Sequence, residues 1–367
     1  MARLARAEVF ASDEVAIVHV MNRVTRRCFL LGDDPVTGQN YDHRKQWIDD
    51  QLVHQARHFG IDLLCQAIMS NHIHLVLRSR PDVVAEWDDT EVARRWLMLC
   101  PASKDDNGQP LKPTEFELNH IRNNKEKLAV IRSRLSDISW WMRLLSQSIA
   151  QRANKEDNEL GKFWQARFRA VRLLDETAIL ACAAYVDLNP IRAALAESIE
   201  TSDFTSAQKR ANDLRSKCSV GSVQYSENSR DVTPKADGTG TLPSGRHLAP
   251  VDLHERSGRT GPCANKRNQR CSNKGFLPMS TADYLSLLDW TARQTVAGKQ
   301  GSTPQHLAPI FDRLGITSEV WCRLVKDFGR LFSLVAGQPQ CIDEHRSQSS
   351  SHRYRTRKDT RELLASA

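Results

Sequence analysis

Two histidines separated by one residue are the first feature of this sequence that could do chemistry. His72 and His74 lie in an apolar run at 71–77 that is typical of a β-strand. Alternate side chains of a strand share a face, so both imidazoles should project together from Cα atoms about 7 Å apart. Such a pair can bind one divalent ion. Taken alone, so short a motif is explained slightly better by two ordinary histidines on a strand than by a metal site.

A tyrosine and an asparagine form the second feature. Tyr185 and Asn189 are four positions apart in a predicted helix and therefore share a face. Tyrosine can attack phosphorus as a covalent nucleophile, but its usual pKa of about 10 requires activation, which a neighbouring metal ion would supply. Taken alone, Tyr185 is better explained as an ordinary helix residue. Asn189 fits a helix cap ahead of Pro190 as well as it fits a metal ligand.

Arginine and aromatic side chains are interleaved in the segment 163–172. Arginines bind phosphates and aromatic rings stack on bases, so the segment is a candidate contact surface for nucleic acid. The candidate contacts are Arg167, Arg169, Arg172, Trp164 and, from the first predicted strand, Arg23. A half-buried strand with its basic side in water explains the same pattern equally well.

The elements that must position these residues follow from hydrophobic periodicity. The sequence predicts strands at 15–23, 61–69, 72–78 and 163–174, and helices at 42–59, 83–99, 114–128, 136–153 and 175–188. Ser136 and Asp175 are the expected N-caps of the last two helices. This order favours an α+β fold, with a ferredoxin-like antiparallel sheet and helices on one face.

The composition is compatible with a polyanionic partner. The 367 residues carry a formal net charge of +8 and a pI near 9.1, a weak signal when taken alone. The nine cysteines include no CxxC pair, which argues against a zinc ribbon and predicts reduced thiols. No apolar run approaches the roughly 20 residues of a membrane span. With no signal-peptide pattern at the start, a cytoplasmic location and no membrane partner are expected.

The three motifs, in this order, resemble those of the HUH-type single-tyrosine transposases, and within them the REP-associated tyrosine transposases of bacteria. The family's two-histidine strand, GRFWQxRF-like strand and Tyr-x-x-x-Asn-Pro helix match residues 72–74, 161–168 (GKFWQARF) and 185–190 (YVDLNP). Residues 19–26 also look like the family's first strand. The resemblance covers about residues 14–200. The stretch 80–135 is longer than in a minimal member, and the C-terminal third lies outside the common core.

Domain organisation follows from this resemblance and from composition. Ser, Gly, Pro, Asn and basic residues dominate 211–275, which contains one aromatic residue and is predicted to be disordered. Helical patterning returns at 276–337. We therefore expect a catalytic domain at 1–208 with a helical insertion at about 80–135, a disordered basic linker at 209–275, a small helical module at 276–337 and a flexible tail at 338–367.

The resemblance implies a specific chemistry. A divalent ion on His72 and His74, with Asn189 as a further ligand, would polarise a scissile phosphate as a Lewis acid. Tyr185 would attack that phosphate, leaving a 5′-phosphotyrosine and a free 3′-hydroxyl, and a later attack by a 3′-hydroxyl would rejoin strands. Two imidazoles with oxygen ligands suit Mn²⁺, and Mg²⁺ tolerates them with waters. The implied partner is single-stranded or hairpin DNA, and a homodimer is left open.

Three alternatives compete with this interpretation. A replication initiator or relaxase would share the two-histidine strand, but the Asn189–Pro190 segment argues against it. A hairpin-binding protein that has lost catalysis, or a domesticated one, is disfavoured by intact His72, His74 and Tyr185. An unrelated metallohydrolase would need a further cluster of acids or histidines, which the sequence does not show.

Overall fold

The structure is a computed structural model that describes residues 9–11, 13–25, 31–34, 38–106, 108–220, 245–253, 269–296, 305–349 and 354–365. None of the helices in these ranges is both long and apolar enough to cross a membrane.

Within the described residues, five strands form one open sheet in the order β2-β3-β1-β4-β5. They are β1 (Ile17–Arg23), β2 (Ile61–Ile68), β3 (His72–Ser79), β4 (Arg169–Leu173) and β5 (Val335–Ala336). The first four pair antiparallel in the ferredoxin-like order, whereas β5 runs parallel to β4. The predicted α+β class is confirmed, and the short fifth strand makes the sheet mixed.

Helices account for most of the remaining described chain. Before β4 they are α1 (Asp42–His58), α2 (Pro81–Ala85), α3 (Asp89–Leu99), α4 (Glu115–Arg122), α5 (Lys125–Leu135) and α6 (Ile138–Asp157). After it come α7 (Glu176–Asp187), α8 (Asn189–Arg192), α9 (Ser206–Val220), α10 (Thr281–Val296), α11 (Ala308–Leu314), α12 (Ser318–Leu331), α13 (Pro339–Gln348) and α14 (Lys358–Ala365).

The two faces of the sheet are covered by different helices. On one face, the crossover helices α1 and α6 bury Leu52 and Trp141 against Val20 and Leu75 of the sheet. This is the single helical face predicted for the ferredoxin-like core. The other face holds a larger hydrophobic cluster, to which α7 and the C-terminal helices both contribute. The helices that follow β4 therefore add a second layer.

Several helix boundaries differ from the sequence prediction because local capping decides them. The predicted cap Ser136 is wrong: Asp137 caps α6 by accepting a hydrogen bond from the Ser139 backbone N–H. Asp175 caps α7 as predicted, accepting from the Ala178 backbone N–H at 2.8 Å. The helices predicted at 83–99 and 114–128 are each split in two. The second split occurs where Asn124 caps a new helix, α5.

The insertion at about 80–135 forms a small helical layer with its own hydrophobic cluster. The buried members of that cluster are Val84, Val92, Ala93, Leu118, Ile121, Leu128, Ile131 and Leu135. This layer lies close to the core at Gly60, just after α1, since an added Cβ there would lie 2.0 Å from a methyl carbon of Val84.

The predicted disordered linker at 209–275 is wrong for the residues in it that the structure describes. Helix α9 continues to Val220. Leu248 and Val251 are buried, and the Ala249 backbone N–H donates to the Leu63 carbonyl at 2.9 Å. These few apolar residues pack on a core that the rest of the chain supplies, which an average composition over the whole stretch does not detect. The rest of the predicted linker lies outside the described residues.

A buried carboxylate attaches the end of that stretch to the sheet. Asp62 on β2 is 1% exposed and accepts hydrogen bonds from Arg78, Arg80 and Ser272. Arg78 also donates to the Gly275 carbonyl at 2.8 Å. A buried charge requires such partners, because its desolvation would otherwise cost several kcal/mol.

The C-terminal region packs on the sheet as part of the larger cluster. Trp321, Leu324 and Phe328 of α12 share that cluster with the residues of α7. The tail predicted to be flexible contributes to it as well, through buried Ile342 and Leu363. The separate folding of 1–208 and 276–337 stays a prediction, and this packing argues against it.

A chain that ends after residue 208 should therefore fail to form a soluble domain. It would lose α10 and α12 and leave the apolar surface of α7 uncovered, including Leu180 and Ala183, which are 0% exposed in the full chain. Exposed apolar patches of that kind cause aggregation. Gel filtration and thermal denaturation of the fragment beside the full chain test this. A soluble fragment with a cooperative transition would instead support the boundary predicted from the sequence.

Candidate active site

The strand register places both motif histidines on the sheet face that α7 covers. Arg23 of β1 lies opposite His72, and Met21 lies opposite His74. The two imidazole rings meet edge to face with their centroids 4.8 Å apart. Ile73, between them, points into the apolar layer under α1 and α6. The two histidines and Ile73 therefore lie on opposite faces of the sheet, as expected for alternate residues of a strand.

A third histidine, which the sequence analysis did not single out, belongs to the same group. His19 on β1 stacks on His74 with ring centroids 5.1 Å apart and planes 9° from parallel. Its Nε2 lies 2.9 Å from Nδ1 of His74, a distance at which one nitrogen donates and the other accepts. The available sequence signal was the alternation of His19 with Met21 and Arg23 along the first strand.

Hydrogen bonds leave the same ring nitrogen of both motif histidines for a ligand. The side-chain oxygen of Asn71 lies 2.6 Å from Nδ1 of His72 and must accept, so this Nδ1 carries the proton. Nδ1 of His74 is engaged by His19. In each ring the nitrogen that remains is Nε2, and a ligating imidazole commonly has its other nitrogen held in this way.

The imidazoles are uncharged at neutral pH. Burial lowers the pKa of His19 and of His72 to about 4, and nearby arginines act in the same direction. Burial lowers the pKa of His74 well below its usual value, because its side chain is 1% exposed. Neutral imidazole is the form that binds a metal ion or accepts a proton.

Tyr185 projects from α7 onto the histidines. Its ring centroid lies 5.5 Å from that of His74 and 5.9 Å from that of His19, close to perpendicular in both cases. The guanidinium carbon of Arg192 lies 4.9 Å from the tyrosine ring centroid. Burial raises the pKa of Tyr185, and the Arg192 and Arg169 charges oppose that rise. The phenol is thus protonated at neutral pH, with cationic side chains near its oxygen.

Helix α12 forms a wall of the site that lies outside the motif resemblance. Phe328 is 1% exposed, and its ring centroid lies 5.6 Å from that of Tyr185 and 6.2 Å from that of His19. The next residue, Gly329, is exposed, and a Cβ added there would lie 3.2 Å from the Tyr185 hydroxyl oxygen. No local motif reveals these contacts, because they depend on how the C-terminal helices dock.

Asn189 begins the short helix α8 and is half-buried. Leu188 occupies the cap position, and no side chain caps this helix. The predicted capping role of Asn189 is therefore wrong, since the chain leaves α7 and enters α8 with hardly a break. Metal ligation by Asn189 stays a prediction.

The five candidate contacts for nucleic acid divide into two groups. Arg172 forms a two-point ion pair with Glu14, at 2.5 and 2.9 Å, and the indole N–H of Trp164 donates to the Ser146 carbonyl at 2.8 Å. These two side chains are held by the protein itself. The other three are Arg23, Arg167 and Arg169, all exposed.

Two of these exposed arginines are on the histidine face of the sheet. Arg23 lies opposite His72, and Arg169 lies opposite Met21 in the neighbouring strand pair. Together with Arg192 they surround the histidines and the tyrosine with positive charge.

The site can supply two imidazole ligands to a divalent ion. Within the described parts of the chain, no group of three or more His, Cys, Asp or Glu side chains is placed to hold a metal. The free Nε2 atoms of His72 and His74 nevertheless fit a partial metal site that oxygen ligands from a substrate or water would complete. The neighbouring charges are arginines, which attract an anion.

Comparisons with known proteins add little to this geometry. No protein-family model and no curated protein matches the chain. Among solved structures, this chain is similar to the protein in the "Structure of the REP associates tyrosine transposase bound to a REP hairpin", with 11% sequence identity and a TM-score of 0.33. The alignment covers 66% of this chain and 99% of that one.

Gly329→Ala should stabilise α12 while hindering the Tyr185 hydroxyl. Alanine is favoured over glycine inside a helix by about 1 kcal/mol. The new methyl group would lie 3.2 Å from the hydroxyl oxygen, tighter than an ordinary contact. We expect an unchanged or raised melting temperature and slower acetylation of Tyr185 by N-acetylimidazole, followed by peptide mass spectrometry. Tyr41 in the same sample is the internal control. Equal modification of Tyr185 in both proteins would show that Gly329 does not govern access.

Proposed function

We propose that this chain is a transposase that cleaves and rejoins single-stranded DNA through a 5′-phosphotyrosine on Tyr185, at hairpin-forming sequences. The observation that supports this best is the position of Tyr185, whose ring lies 5.5 Å from that of His74. The two residues come from motifs far apart in the sequence, and the resemblance assigns them to one reaction. Their contact is what such a reaction requires.

Positive charge around the tyrosine would hold the scissile phosphate. Arg23 and Arg169 are exposed on the histidine face, and Arg192 lies against the tyrosine ring. Guanidinium groups bind phosphate oxygens in a two-point geometry and stabilise the charge that develops during transfer. A phosphate held by these arginines would lie beside the imidazoles and the phenol.

A divalent ion, Mg²⁺ or Mn²⁺, would supply Lewis-acid activation of that phosphate when bound. His72 and His74 would hold it through their free Nε2 atoms, and Asn189 is a proposed further ligand. Arginines lie beside the histidines and the tyrosine, so the phosphate itself would provide negative charge that the ion needs. Metal affinity should accordingly be higher in the presence of DNA.

The bond changes at Tyr185 follow from its surroundings. The phenol oxygen forms a bond to phosphorus while the bond from phosphorus to the 3′ oxygen breaks, and the phenol proton is transferred, through water, to that leaving oxygen. Burial disfavours the phenolate, since it raises the pKa of Tyr185. Arg192 and Arg169 lower that penalty, because each stabilises negative charge on the phenol oxygen.

A DNA-binding protein without nuclease activity is the second candidate. Phe328 packs against the Tyr185 ring, and the hydroxyl lies beside Gly329 of the same helix. This packing narrows the approach of a DNA strand to the phenol. A binding protein would keep the basic surface but would never form a covalent link to DNA.

Tyr185→Phe should abolish the covalent adduct with single-stranded hairpin DNA while leaving DNA binding nearly unchanged. The substitution removes only the attacking oxygen and preserves the ring that packs on His74 and Phe328. The measurement is the shift of labelled DNA on a denaturing gel after incubation with Mn²⁺. Tyr41→Phe is the matched control, as this residue lies outside the site. An adduct in the Tyr185 variant would assign the nucleophile to another residue, and no adduct in the unchanged protein would favour the binding protein.

His72→Gln should raise the Mn²⁺ concentration needed for half-maximal adduct formation by at least about tenfold, as expected for a lost metal ligand. This position is half-buried, so the variant should fold more readily than one at buried His74. Chelator should suppress the adduct formed by the unchanged protein. His120→Ala, at an exposed histidine of α4, is the control. The same metal dependence in the Gln variant as in the control would remove His72 from the metal site.

A further inference from the structure

A second basic surface lies on the sheet face opposite the histidines. It is a groove of about 1000 Å³ between α1, α6 and the loop that follows α3. The side chains that define it are Trp47, Lys104, Trp140, Arg143, Arg152 and Lys155. Neither the motif resemblance nor the proposed chemistry uses any of these residues.

The charge in this groove is strongly unbalanced. Among the described residues that line it, four are lysines or arginines and one, Asp50, carries a carboxylate. Arg143, Arg152 and Lys155 are exposed on α6 and form no ion pair with any residue that the structure describes. An unpaired cluster of this kind attracts a polyanion.

The nearby acids are already neutralised elsewhere. Glu156 accepts a hydrogen bond from Arg44 at 2.7 Å and also contacts His43. Asp157 pairs with the same Arg44, which is fully buried. The two carboxylates at the end of α6 are therefore paired with Arg44 and do not line the groove, so its cations are left for a partner.

Each groove tryptophan carries a guanidinium group over its ring. The guanidinium carbon of Arg152 lies 3.9 Å from the ring centroid of Trp47, and that of Arg143 lies 4.6 Å from the ring centroid of Trp140. Stacking fixes these long side chains, so less rotamer freedom is lost when they bind. Aromatic and guanidinium planes are the surfaces on which unpaired bases stack, while guanidinium N–H groups bind phosphates.

The middle of α6, the helix that lines the groove, lies next to the strand end that carries Arg23. Ser146, in the middle of α6, accepts a hydrogen bond from the Asn22 side chain at 3.2 Å. Its carbonyl accepts from the Trp164 indole at 2.8 Å. Asn22 precedes Arg23, which lies opposite His72 on the other face. One DNA molecule passing around this end of the sheet can contact both surfaces.

We propose that this groove is a second DNA-binding surface, which holds the part of the substrate that flanks the cleaved strand. The proposal rests on the proposed function, because it takes the polyanion to be the same DNA. It also gives the helical insertion a role, since the loop after α3, with Lys104, forms one wall of the groove. The insertion then widens the contact with DNA without touching the chemistry.

The test is a binding titration that does not depend on cleavage. Arg143→Gln combined with Arg152→Gln, made in the Tyr185→Phe chain, is compared with Lys125→Gln in the same chain. Lys125 is an exposed lysine of α5 outside the groove. The probe is a fluorescein-labelled DNA hairpin with a single-stranded extension, and anisotropy is followed over a range of salt concentrations. Thermal denaturation of each variant verifies folding.

The double variant should bind DNA at least about tenfold more weakly. The slope of log binding constant against log salt concentration should become shallower by about two, one for each lost phosphate contact. The Lys125 variant should match the parent. Equal affinity and equal salt dependence in all three proteins would overturn the groove proposal alone. If the parent bound no DNA hairpin at all, both this proposal and the proposed function would be overturned.

Discussion

The candidate site depends on one constraint, the burial of β3 on both of its faces. Ile73 and Leu75 enter the layer beneath α1 and α6, so His72 and His74 must enter the layer beneath α7. Burial there keeps the imidazoles neutral, and the stacked His19 fixes His74. If α7 did not cover this face, the histidines would be solvated and the tyrosine would have no defined position relative to them.

Local patterns predicted most of the scaffold. Apolar, β-branched runs identified β1 and β3, and the cap at Asp175 marked the helix that carries Tyr185. Contacts between residues that are far apart in the sequence left no such local pattern. His19 joins the histidines through strand register, and Phe328 and Gly329 reach the tyrosine through the docking of α12. Neither relation can be derived from spacing within a motif.

The prediction from composition failed where a few buried residues determine whether a polar stretch is ordered. The stretch 209–275 is polar on average, yet Leu248 and Val251 are buried, and Ser272 donates to the buried Asp62. Its backbone N–H and its hydroxyl both bind that carboxylate, whose other partners are Arg78 and Arg80. One buried carboxylate can hold a polar segment in place, because loss of Ser272 would remove the two donors that bind Oδ1 of Asp62 in a low-dielectric interior.

The two regions outside the motif resemblance differ in how they join the core. The insertion keeps a hydrophobic cluster of its own, so it can change while the sheet beneath it stays intact. The C-terminal helices instead share one cluster with α7. Any shift of α12 therefore moves Phe328 against Tyr185 and alters the desolvation that raises the tyrosine pKa. The insertion would extend contact with the proposed DNA substrate, whereas the C-terminal helices act directly on the environment of Tyr185, since Phe328 and Gly329 of α12 contact it.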